Sequence, residues 1–345
     1  MSIHPAAKSA LSSNPAADLA KEPAISPAPP LLSRIKLGVR LWLFKAVVAL
    51  ALRSLRMVQA RQMKKIAPTY TKRYPIRPML ENRVFVPADC QADSRLPLFI
   101  DIHGGGFALC DPQTDDEFCH HLANKYHFLV VSINYRKAPV YPFPELVHDA
   151  AEMARAVLSD TDIPVDHSRI AMGGFSAGGN LTLAIAQLPG IKEKVQKLVP
   201  VYPVVDFSRK FGGPYRTTKD GKPDILQNTS ALFNWAYINT GQDRSDPLLS
   251  PIYATREQLP HQIFFVGAEY DCLCHEAEIM AKNLAGYDNG DTDSGSTWER
   301  NGIRWRMIPD QQHGFTHLQQ KGDDEMNRQL VCDELYREIA QWLQD

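Results

Sequence analysis

Ser176 stands in Gly174-Phe175-Ser176-Ala177-Gly178-Gly179, with a glycine two residues before it and another two after. Residues 169–173 read as a short buried strand and residues 180–186 as a helix. Strand, sharp turn and helix is the context in which a serine projects from the top of a sheet, within reach of a base. A side chain at either flanking glycine would crowd so tight a turn. A serine hydroxyl is a weak nucleophile, so it needs a base within hydrogen-bond reach and a third group to orient that base. Ordinary Gly-Ser turns match the same pattern, and the partners must come from the rest of the chain.

The elements that would position those partners are strands at 83–87 (an edge strand), 96–103, 128–133, 197–203, 263–267 and 303–308. Helices are expected at 115–125, 145–158, 230–238, 275–284 and 325–343. Strands alternating with helices predict an α/β fold with a mostly parallel, doubly wound sheet. Active groups in such sheets sit at the carboxyl ends of strands. His313 lies just past the strand 303–308 and is the expected base. His317 should fall inside the following turn or helix, and His275 within a helix. Asp271, past the strand 263–267, is the expected acid, with Glu269 and Asp206 as alternatives. The chain order serine, acid, histidine fits this architecture.

Ester hydrolysis passes through an oxyanion, and donors must be aimed at it beforehand. His103-Gly104-Gly105-Gly106 leaves a central strand with no bulky Cβ to block a substrate carbonyl. The amides of Gly104 and Gly105, with that of Ala177 after the serine, are therefore the expected oxyanion hole.

The chain of 345 residues can hold one large α/β domain with an appendage. A net charge of −1 provides no global field for nucleic acid. The six cysteines do not form a disulfide framework for a chain this long, which points to a reducing, cytoplasmic setting. Cys119-His120-His121 lacks a second ligand pair at zinc-like spacing, so no metal is expected. Residues 1–33, rich in Ala, Pro and Ser, read as a disordered leader without a signal-peptide pattern. From 34 to 66 the pattern is helical, with Leu37, Leu41, Phe44, Val48, Leu52 and Leu55 on one stripe, flanked by Arg40, Lys45, Arg53 and Arg56. A lid with its cations in water is the expectation; docking on an anionic membrane surface is the alternative. Between Glu22 and Glu81 there is no acidic residue and there are twelve lysines and arginines. Residues 286–301 read as a polar loop.

These residues together resemble the hormone-sensitive-lipase-like group of α/β-hydrolase esterases. The resemblance rests on His103-Gly104-Gly105-Gly106, Tyr135-Arg136-x-Ala138-Pro139 with Pro142-Phe143-Pro144, Gly174-x-Ser176-Ala177-Gly178-Gly179-Asn180, Asp271-x-Leu273 and His313-Gly314-Phe315. It implies a cofactor-free carboxylesterase acting on small esters of short or medium acyl chain, with Ser176 as nucleophile, His313 as base and then acid, and Asp271 orienting the imidazole. It also implies a helical cap over a catalytic domain at 81–345. The cap would be built from residues 34–80 and an insertion at about 207–250. Phe107 and Phe175 are expected at the substrate. The family usually has aspartate where Phe175 stands and glutamate where Val140 stands. The phenylalanine is similar to fungal members, some of which remove acetyl groups from secondary metabolites. An acyltransferase with the same triad, or a non-catalytic receptor on the scaffold, are the alternatives. Either a monomer or a homodimer is compatible with the sequence.

Overall fold

β-Branched and aromatic residues dominate the expected strands, and such residues suit a pleated, buried surface. The computed structural model describes residues 29–91, 93–287 and 295–345, and these hold one nine-stranded sheet. Its strands are β1 (Tyr70–Arg73), β2 (Glu81–Phe85), β3 (Leu96–Ile102), β4 (Leu129–Ile133), β5 (Val165–Phe175), β6 (Lys197–Val201), β7 (Gln262–Ala268), β8 (Thr297–Arg300) and β9 (Ile303–Ile308). Their order is β1-β2-β4-β3-β5-β6-β7-β9-β8. The six strands from β4 to β9 in that order pair in parallel, while β1, β2 and β8 join antiparallel at the margins.

The helices are α1 (Leu31–Val58), α2 (Ala60–Lys65), α3 (Asp116–Tyr126), α4 (Glu145–Leu158), α5 (Ala177–Ile185), α6 (Ser230–Tyr237), α7 (Cys274–Ala285) and α8 (Asp323–Gln344). Successive strand side chains point to opposite faces. Thus Leu98, Ile100 and Ile102 of β3 join one core with residues of α4, α5 and α7, and Phe99 joins the other with α3 and α8. Both faces are covered, which is why the central strands read as nearly continuous apolar runs. The chain reverses direction across the sheet between β3 and β5, so the loops leaving those two strands border one crevice.

Three expectations need correction. The strand expected at the edge, β2, is paired on both sides; the edge is β1, for which no strand was expected. The β1 sequence Tyr-Thr-Lys-Arg carries no buried alternation, and Lys72 is held from outside the strand by Asp160 and Asp162. Residues 297–300 of the expected polar loop form β8, where only Trp298 is buried. Lys45 and Arg56 of α1, expected in water, turn inward. Lys45 Nζ donates to the carbonyls of Ala108 (2.7 Å) and Ala138 (2.8 Å), and Arg56 pairs with Asp111 at 2.8 Å. Among the described residues the carbonyls of Ala108 and Ala138 receive no backbone donor and Lys45 supplies one, while Arg56 answers the charge of the Asp111 carboxylate. The leader falls almost wholly outside the described residues, and residues 31–33 already belong to α1.

Candidate active site

Strand β5 ends at Phe175 and α5 begins at Ala177, so Ser176 alone makes the turn, at φ 55° and ψ −116°. The reason only glycine fits beside it is the neighbouring strand. A Cβ on Gly174 would lie 2.3 Å from the Ile102 carbonyl oxygen, and one on Gly178 would lie 1.8 Å from the same atom. The serine is thus wedged against the end of β3, where the Gly104–Gly106 loop begins.

His313 follows β9, and its Nε2 lies 2.9 Å from Ser176 Oγ. Its Nδ1 lies 2.7 Å from Asp271 Oδ2. Asp271 follows β7 and accepts from the Leu273 amide through its other oxygen. Asp271 and His313 are both buried. A carboxylate at Nδ1 holds the proton on that nitrogen, leaving Nε2 to accept from the serine. Burial works against the charged imidazole, but the charge and hydrogen bond of Asp271, with a contribution from Asp224, outweigh it and raise the His313 pKa.

The alternatives lie elsewhere. Glu269 accepts from the Asp310 amide, and Asp206 from Ser208 and Phe211 within its own turn. His275 is exposed on α7. His317 pairs with Asp115 at 3.0 Å, and its ring meets the far side of Phe175. Among the described residues the group spaced to hold a metal is Asp224, Asp271 and Cys272, not Cys119-His120-His121. Asp271 is engaged by His313, and Asp224 Oδ2 accepts from the Cys272 amide, so neither carboxylate is held open for an ion.

Gly105 (φ +109°) and Gly106 (φ +58°) bend the loop after β3 over the serine. Among the described residues, the amides of Gly104, Gly105 and Ala177 donate to no protein acceptor. His103 underpins the loop. Its Nδ1 lies 2.7 Å from the Gly104 carbonyl and therefore donates, so Nε2 accepts from Lys137 Nζ at 3.0 Å. Burial, and then Lys137, lower the His103 pKa; burial pushes Lys137 down to about 7. Lys137, Tyr202, whose ring packs on His313 at 5.0 Å, and Asp224 carried no signal in the sequence. Each reaches the site from a loop or strand end remote in the chain.

A cavity of about 450 Å³ opens on Ser176. Phe107, Phe207, Tyr215, Leu226 and Phe233 supply much of its apolar wall, which therefore comes from the loop after β3 and from residues 207–233. A larger groove of about 670 Å³, between α1 and residues 108–111, reaches none of Ser176, Asp271 or His313. Phe107 lines the cavity and stacks on Tyr237. Phe175 does not: its side chain leaves β5 on the opposite face and packs edge-on to Phe118 of α3. Val140 is exposed and also away from the cavity.

A family model described as alpha/beta hydrolase fold matches residues 99–296. The chain is 31% identical over 242 residues to the carboxylic ester hydrolase LipN of Mycobacterium tuberculosis, covering 66% of this chain and 59% of that protein. It is 34% identical over 191 residues to an arylesterase of Saccharolobus solfataricus, covering 54% and 61%. The chain spans about half to three fifths of the length of the curated relatives it matches. Among solved structures, a hyperthermophilic esterase from the archaeon Pyrobaculum calidifontis superposes with a TM-score of 0.69 at 26% identity, over 92% of this chain and 98% of that one.

Proposed function

Because the chain belongs to the alpha/beta hydrolase fold family, we propose that it is a serine carboxylesterase acting on small esters of short or medium acyl chain. The observation that carries this reading is the continuous hydrogen-bonded line from Ser176 through His313 to Asp271, with the serine facing the 450 Å³ cavity. The relatives named carboxylic ester hydrolase and arylesterase support the same reaction class.

In this mechanism Ser176 Oγ attacks the ester carbonyl carbon as its proton passes to His313 Nε2. Asp271 stabilises the imidazolium through Nδ1–H. The carbonyl oxygen, now an anion, receives hydrogen bonds from the amides of Gly104, Gly105 and Ala177. Collapse breaks the ester C–O bond, and His313 returns the proton to the departing alcohol. Water then attacks the acyl-serine with His313 again as base, releasing the acid and restoring the serine.

The cavity size suits a small ligand. Acyl length is governed by Phe107, Phe207 and Phe233 at its wall, not by Phe175. An acetyl ester of a secondary metabolite is the narrow form of this reading. The test is Ser176→Ala against p-nitrophenyl acetate and butyrate. Turnover should fall about a thousandfold or more, and labelling by a fluorophosphonate should vanish. Unchanged turnover overturns the proposal.

A further inference from the structure

Helix α1 carries two apolar faces, and the fold uses one. Leu37, Leu41 and Phe44 pack on the body, and Val48 and Leu52 border the groove beside residues 108–111; Leu41 is fully buried, and Phe44 meets Phe233 of α6. The opposite face is apolar as well. Leu32, Val39, Leu43, Val47, Leu50 and Met57 recur at helical spacing and are each more than half exposed. At 1.5 Å per residue, the stripe from Leu32 to Met57 runs about 38 Å along the helix. A monomer seldom leaves so long an apolar strip uncovered without a use for it. No helix among the described residues is long and apolar enough to cross a membrane.

The charges beside the stripe are all of one sign. Lys36, Arg40 and Arg53 of α1 are exposed, as are Arg61, Lys64 and Lys65 of α2, and no acidic residue lies between Glu22 and Glu81. An apolar strip bordered by cations is the pattern of a helix lying in the plane of an anionic bilayer, its apolar side in the acyl boundary and its cations at the headgroups. A second copy of the chain fits poorly, since a two-fold contact would set like against like and oppose these cations to one another. Residues 1–28 offer few large apolar side chains with which to cover the strip.

We propose that the outer face of α1 docks the protein peripherally on an anionic lipid surface. Docked in this way, α1 would lie between the lipid and α6, whose Phe233 lines the cavity. The inference goes beyond the proposed activity, and its test reads binding rather than turnover.

The full chain is sedimented with vesicles of equimolar phosphatidylcholine and phosphatidylserine, and with phosphatidylcholine vesicles alone. The expected result is pelleting with the anionic vesicles, weakened in about 1 M salt, where the Debye length falls to about 3 Å. Leu43→Glu with Leu50→Glu should weaken partitioning at least about tenfold, because it places charge on the inserted face. Both sites are exposed, so the melting curve should be unchanged. Should that pair misfold, Lys64→Glu with Lys65→Glu on α2 serves instead and should also weaken binding. Three results overturn the proposal: no pelleting of the wild type with anionic vesicles; a lipid-free dimer that Leu43→Glu with Leu50→Glu disperses; or binding that appears only after residues 1–28 are removed.

Discussion

Asp271 touches His313 and not Ser176, so in the proposed mechanism it acts through the imidazole, selecting its tautomer and favouring its charged form. Burial alone would lower the His313 pKa, and Asp271 reverses the sign. The activity needs the neutral base, so kcat/KM should rise with pH through a midpoint above 6.5, the ordinary value. A raised folded-state pKa also means that this contact adds stability below 6.5, lost as pH rises through the folded value. In Asp271→Asn the larger raising influence is gone, while burial and the smaller contribution of Asp224 remain. The acid limb should therefore shift to lower pH while kcat drops about ten-thousandfold, as when other triads lose this charge. A pH–rate profile of the two proteins checks both; a limb that stays in place would show that Asp271 does not set the His313 pKa. Ser176, Asp271 and His313 were legible in the sequence because each stands just past a strand end. Tyr202, Lys137 and Asp224 were not, because their roles depend on which distant segment folds over them.

At the scale of elements, α1 does more than cover the sheet. Lys45 ties it to the carbonyl of Ala108, just after the glycine loop, and to that of Ala138, next to Lys137, and Phe44 backs Phe233. Phe233 in turn presses on Gly106, where a Cβ would lie 2.6 Å from its ring. The positions of α1 and α6 are thereby coupled to that of the Gly104–Gly106 loop. Lys45→Met should leave the carbonyls of two buried residues without donors and cost about 2 kcal/mol of stability. The same change should lower kcat/KM, with partial recovery in Lys45→Arg. Thermal melting and ester kinetics on the three proteins read this; equal kinetics in Lys45→Met would uncouple cap from loop. The helical stripe of α1 was legible from spacing alone. Its inward cations and its second apolar face were not, since a linear pattern does not say which side of a helix meets the body.

For the molecule as a whole, the sheet separates two cores, and the face on which a residue leaves its strand decides what it can touch. Ser176 and Phe175 are adjacent in sequence, yet one faces the cavity and the other packs with Phe118, Tyr202 and His317 beneath the sheet. Phe175→Leu should therefore lower stability by about 1–3 kcal/mol as a core change. It should leave the preference among p-nitrophenyl esters of different acyl length as it was. A changed chain-length preference in a protein that still melts cooperatively would return Phe175 to the pocket. The sequence by itself determined the alternation of strands and helices, the α/β class and the serine elbow. It did so because these rest on local periodicity and on the sterics of a few consecutive residues. The tertiary structure alone decided that β1 and β8 are the edges, that Phe175 is core, and that Lys137 and Tyr202 back the site. Edge strands with one exposed side carry too few apolar residues to stand out, and partnerships between loops are set by strand order, which no local pattern encodes.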